Sequence, residues 1–225
     1  MSRLAHLEGD RDEMLALWKD VVGPAGSPMF PLDLLACAAV KRNISAASAF
    51  KLLVESWNMT CARSLLRIHI DTALRFSAAW LVDDPHKFSS QVMAGERIDK
   101  LKASDGKRLT DAHLVETRSS EYAWLPEVYK NLSGYVHFSG SHVMDAVQAV
   151  ESSGKIELLV SEADLKFPES SWLEVIDCFR HSTSMLATFL RGYIATKQLS
   201  PKQLAAGKAP VRGIAGTTPS PSAFS

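Results

Sequence analysis

Apolar positions along this chain recur mostly at three- and four-residue spacings, the signature of amphipathic helices. Met14, Leu15, Leu17, Trp18 and Val21 predict a first helix over residues 10–22, broken by Gly23, Pro24, Gly26 and Pro28. Residues 31–40 read as a short apolar helix, with Asn43 and Ser45 as the cap before another over 46–57. The longest apolar helix runs from about Met59 to Val82, where Asp83-Asp84-Pro85 stops it. Pro85 suits the first turn of a further helix through Met93. Residues 95–118 are polar, with a Ser104-Asp105-Gly106 turn and a helical cap at Thr110. Helix resumes over 122–132, ends at Gly134 and is expected again over 142–150.

One run breaks this rhythm. Lys155–Val160, KIELLV, is strand-like, and Asp164–Phe167 is its expected hairpin partner. The last strong helix spans 172–197, with Leu173, Ile176, Phe179, Leu186, Phe189, Leu190 and Tyr193 on its buried side. Beyond Leu199, prolines 201, 210, 219 and 221 sit among Gly, Ala, Thr and Ser. The pattern predicts an all-α fold: a single domain of six to eight helices over residues 1–198, a minor β-hairpin near 155–167, and a disordered tail at 199–225.

The 62–82 helix, ARSLLRIHIDTALRFSAAWLV, carries unusual charge. At about 100° per residue, Arg63, Arg67, Asp71 and Arg75 fall at roughly 0°, 40°, 80° and 120°. Leu74 is the only apolar residue inside this stripe, and apolar side chains cover most of the remaining circumference. A helix apolar nearly all round is normally buried, and buried guanidinium groups need partners or a ligand. Two readings follow. As structure, Arg67 and Arg75 each pair with Asp71 four residues away, and Arg63 reaches Glu55 or another helix. As function, Arg63, Arg67, Arg75 and Asp71 form an anion-binding set with donors aimed at a phosphate.

His69 lies at about 240° on the same wheel, opposite the stripe, where a core histidine is expected. His137 and His142 sit in a glycine- and serine-rich segment after a helix end, which suits acid–base chemistry. No glycine-rich phosphate loop, HExxH, Cys-x-x-Cys or G-x-S-x-G is present, and the seven histidines do not group at ligand spacing. No metal and no cofactor is therefore expected.

Composition adds little. Hydrophobic residues make up 46% and charged residues 22%, an ordinary globular mixture. Lys plus Arg equals Asp plus Glu at 25 each, so overall charge favours neither nucleic acid nor a membrane surface. Cys37, Cys61 and Cys178 read as free, buried thiols in a reducing compartment. The acidic start and the lack of a long uncharged apolar run predict a cytoplasmic protein with no membrane span.

Three segments, ARSLLRIHIDTALRF, LVDDPHKF and SGYVHFSGSH, together resemble a group of uncharacterised bacterial all-helical families with "domain of unknown function" labels. These families occur among abortive-infection and toxin-like genes. They are loosely similar to the HEPN superfamily, helical domains that commonly dimerise and in many members cut RNA. The resemblance covers about residues 45–145. Its hallmark is an arginine, usually followed directly by a polar residue, then a histidine after four to six intervening residues. Arg63, Ser64 and His69 satisfy that pattern. On one continuous helix Arg63 and His69 point about 120° apart, so Arg67 with His137 is the better physical pair.

The resemblance thus implies an RNA-directed effector with metal-independent ribonuclease chemistry. On the physical pairing the catalytic set is Arg63, Arg67 and His137, with His69 as the family-derived candidate, and the partners are RNA and a second copy. The alternative is a non-catalytic helical interaction protein that dimerises and holds a structural arginine network.

Overall fold

The computed structural model describes residues 2–197 and residue 199. Eight helices appear among them. Four long ones build the frame: α1 (Ser2–Val22), α2 (Pro31–Glu55), α3 (Met59–Ser77) and α8 (Glu169–Lys197). Polar contacts set their directions. Arg3 pairs with Asp177, Arg180 with Asp10, and Lys197 donates to the Val21 carbonyl, so α1 and α8 run parallel. Lys51 pairs with Glu8, so α2 runs the other way. Trp57 meets Trp172 just before α3 starts, His69 meets Thr183 midway, and Trp80 meets Phe189 just past its end. Thus α3 is also parallel to α8. The centre is apolar and closed, with Phe50, Leu66, Ile70, Phe179, Met185 and Leu186 fully buried.

Because α3 and α8 are parallel, the chain must travel from one end of the bundle back to the other between them. Residues 78–168 make that return. Ser77 Oγ bonds the Leu74 carbonyl, and the helix gives way to a 3₁₀ turn at Ala78–Trp80. Then α4 (Pro85–Met93) begins at Asp84, whose carboxylate accepts from the His86 and Lys87 amides. Helices α5 (Asp111–Arg118) and α6 (Leu125–Leu132), followed by a 3₁₀ turn at Ser133–Tyr135, lie along α3. Thr110 caps α5 by accepting from the His113 amide. A short α7 (Gly140–Ala146) leads into a two-stranded hairpin of β1 (Val147–Val150) and β2 (Ile156–Leu158).

Four expectations need correction. Residues 31–55 form one helix rather than two, with 56–57 in the turn beyond its end. Asn43 is not a cap because its side chain finds partners across the bundle, Thr183 Oγ1 at 3.2 Å and His69 Nε2 at 3.4 Å. The hairpin partner of KIELLV is 147–150, in place of 164–167 and of the helix expected there. Its register is Val147↔Leu158, Ala149↔Glu157 and Val150↔Ile156, and its turn is set by Gly154 at φ 84°. Residues 164–167 instead strap the start of α3: the Asp164 carboxylate accepts from the Thr60 amide at 3.0 Å, and its amide donates to the Trp57 carbonyl. Finally, Cys61 is exposed and Cys37 half-buried, leaving Cys178 as the one thiol in the core, pushed up to about 12 by burial. The tail expectation, Leu199 apart, lies outside the described residues. No helix among the described residues is long and apolar enough to cross a membrane.

Candidate functional site

The stripe on α3 faces the returning segment, and its side chains meet that segment one after another. At the C-terminal end, Arg75 donates to Asp111 of α5 at 2.9 Å. One turn back, Asp71 pairs with Arg67 and accepts from the Tyr129 hydroxyl of α6 at 3.0 Å. The Arg67 guanidinium lies 3.5 Å from the centre of the Tyr129 ring and 3.7 Å from Asp111. One turn further, Arg63 donates to the Tyr135 hydroxyl, with its guanidinium 5.0 Å from that ring and 4.7 Å from the ring of Phe167. Ser64 donates to the Tyr135 carbonyl at 2.6 Å.

Arg63 and Arg67 are each 7% exposed, which shows how far the stripe is covered. Aromatic faces take the place of water around both guanidiniums, joined by the Tyr135 hydroxyl at Arg63 and by carboxylates at Arg67. Burial, with Asp71 adding to it, pushes the Tyr129 phenol well above the ordinary tyrosine range, so it stays a neutral donor. Burial also raises Tyr135, and it raises Asp145, which has one buried oxygen without a hydrogen-bond partner. Arg63 and Lys166 act on Asp145 in the opposite direction. Lys166 itself donates to the carbonyls of Met144 and Val147, where α7 passes into β1.

His69 stands on the other side of α3. Its Nε2 is 3.0 Å from Thr183 Oγ1, and its ring stacks on Phe179 at 4.0 Å. Burial holds it down to about 3, so it is neutral at every ordinary pH. His137 is exposed. No hydrogen bond or ion pair joins His69 or His137 to Arg63 or Arg67 among the described residues. The four residues of the expected catalytic set are therefore not brought together, whereas Arg63, Arg67, Asp71 and Arg75 do form one continuous ladder. His142 lies beside the ladder. Its ring is 5.6 Å from Tyr135, and its Nδ1 accepts from the Ser139 amide at 3.3 Å.

Two features lay outside the reasoning from sequence. The first is the ladder's other rail, Asp111, Tyr129 and Tyr135. Tyr129 follows Val128, one of the buried positions of α6, and that adjacency was the available signal. The second is the surface of residues 136–165. Here Phe138 is 88% exposed, Val160 91%, Val150 66%, Leu158 65% and Ile156 57%. On the hairpin, Val150 and Ile156 are cross-strand partners, as are Val147 and Leu158, so one of its faces is apolar. Among the described residues, no group of three His, Cys, Asp or Glu side chains is placed to hold a metal. No family model, no curated protein and no solved structure matches the chain.

Proposed function

We propose that this chain is a non-catalytic helical interaction protein. The four-helix frame is a rigid carrier, the α3 arginine ladder is the joint that fixes the returning segment to it, and residues 136–165 are the contact face. One observation carries the reading: large apolar side chains concentrate, exposed, on a short helix and a hairpin that the bundle does not cover. Scattered apolar residues are normal on a surface, but a contiguous set on one small module marks an interaction site. A lone two-stranded hairpin is marginal in water and gains from a further strand or a packed face.

The test replaces Phe138, Leu158 and Val160 together by serine and follows melting temperature and sedimentation velocity from micromolar to hundreds of micromolar. The reading expects an unchanged melt, because these side chains lie outside the core, and loss of concentration-dependent association. A wild type that is monomeric at every concentration would remove self-association from it.

A second reading, an RNA-directed effector with ribonuclease activity, draws on the loop over 97–108. Lys102 and Arg108 face each other across an isolated antiparallel bridge, both exposed and without an acidic partner among the described ion pairs. Like charges directly opposite are unfavourable, and a phosphate backbone would relieve them. Catalysis would rest on Arg67 and His137, because His69 is sealed in the core. Incubation with total RNA decides it: equal RNA loss from wild type and an Arg67→Ala, His137→Ala double variant excludes these residues from cleavage.

A further inference from the structure

We infer that the free edge of β2 pairs with the β2 edge of a second copy, antiparallel and about a two-fold axis through Ile156; this rests on the reading of 136–165 as the contact face. β2 is paired on one side only, by β1. The Lys155 carbonyl points inward, accepting from the Glu151 amide at 2.9 Å. By strand alternation, the N–H and C=O of Ile156 and Leu158 then point outward, to an edge with no strand beside it among the described residues. Proteins usually blunt such an edge with proline or an uncompensated lysine. Residues 147–160 contain no proline, and the one lysine there, Lys155, is followed two positions later by Glu157.

That spacing makes the strand complementary to itself. In an antiparallel pair centred on Ile156, the two Ile156 residues exchange both backbone hydrogen bonds, while Lys155 of each copy stands directly opposite Glu157 of the other. The Lys155–Glu157 rungs fall at the narrow, non-hydrogen-bonded positions, where Cα atoms approach to about 4.5 Å and side chains interact most closely. Ile156 and Leu158 point to the opposite face, so the apolar faces of the two hairpins join across four strands. Both Lys155 and Glu157 are exposed, and their contacts within one chain, 3.4 Å to each other and 3.0 Å from Lys155 to Glu151, are surface pairs that add little to folding. Two strand edges bury less than the roughly 1,200 Å² of a standard stable interface, so the dimer dissociates on dilution.

The experiment is sedimentation velocity on the full chain across a concentration series. It compares wild type, Lys155→Glu, Glu157→Lys, an equimolar mixture of these two variants, and the double swap. Each single variant turns both rungs repulsive and is expected to weaken association about tenfold or more, roughly 1.4 kcal/mol. The mixture sets two acids of one chain against two lysines of the other and is expected to recover association to within about threefold of wild type, as is the double swap. Circular dichroism melts unchanged from wild type are expected for all of them. Single variants that associate like wild type, or a mixture that stays monomeric, would overturn the pairing. If the Phe138, Leu158, Val160 serine variant loses association while the charge variants keep it, this edge pairing falls and the contact face stands. A wild type monomeric throughout overturns the pairing and removes self-association from the contact face.

Discussion

The arginine ladder on α3 and the hairpin module of 136–165 invert the usual division of a protein surface. On α3, the Arg63 and Arg67 guanidiniums are buried and Asp71 and Arg75 half-buried, each matched by an aromatic face, a hydroxyl or an opposite charge. On the module, large apolar side chains stand exposed to water. The ladder's other rail, Asp111, Tyr129 and Tyr135, and the module lie on the same returning segment of chain. The ladder is a polar joint between that segment and the bundle, and a polar joint fixes one register because a shift would leave its buried charges without partners. The module is what the joint holds out. On the proposed reading, the charge that looks like a binding site is the mounting, and the plain apolar hairpin is the contact.

The two regions can be set against each other with one residue type. Phe179 is fully buried against Phe50 and His69, and Phe179→Ala should cost about 4 kcal/mol in chemical denaturation. A loss of less than half of that would mean the bundle is far looser than its packing implies.

Next in size is the ladder itself. Asp71→Asn leaves Arg67 short of a counter-charge, with only the more distant Asp111 remaining, and should cost about 3 kcal/mol. Melts with and without inorganic phosphate sharpen the comparison. As a joint, the stripe yields the same loss in both. An anion site would instead bind phosphate more tightly once the carboxylate is gone, and the variant's melting temperature would climb with phosphate.

The pH dependence of stability probes the opposite face of α3. His69 titrates near 3 in the fold, whereas an unfolded histidine titrates near 6.5. Its contribution is complete above about pH 6.5 and is lost as pH falls toward 3, because the unfolded chain takes up a proton that the folded chain refuses. Between pH 6.5 and 5 the wild type should lose about 2 kcal/mol that His69→Gln does not lose. Parallel curves in urea titrations would show that solvent reaches His69.

The smallest effect belongs to the module. Phe138→Ser should change stability by less than about 0.5 kcal/mol, since the ring is almost fully exposed. A larger loss would place Phe138 in a core of its own.

Much of this was written locally in the chain. Pro85 and Thr110 mark helix starts, and both act as read, whereas α3 ends at Ser77, short of the Asp83-Asp84-Pro85 stop. Three-to-four periodicity placed His69 in the core and the four ladder residues on one face. What sequence could not supply was the identity of the second rail. Asp111, Tyr129 and Tyr135 lie 36, 58 and 72 positions from the residues they bond, and only the path of the return brings them there. Asn43 misled for a related reason: its local signal is a cap, but its partners sit on α3 and α8. The hairpin misled through strength of pattern, since Gln148 and Ala149 dilute β1 while KIELLV is plain.

Hydrogen exchange at two protein concentrations tests the division between joint and contact face most directly. The account predicts that amides over Leu66–Ala73 are protected to the level of global unfolding and do not change with concentration, while those over Val147–Leu158 exchange quickly when dilute and slow as concentration rises. Fast local exchange around Arg67, together with hairpin amides indifferent to concentration, would contradict it.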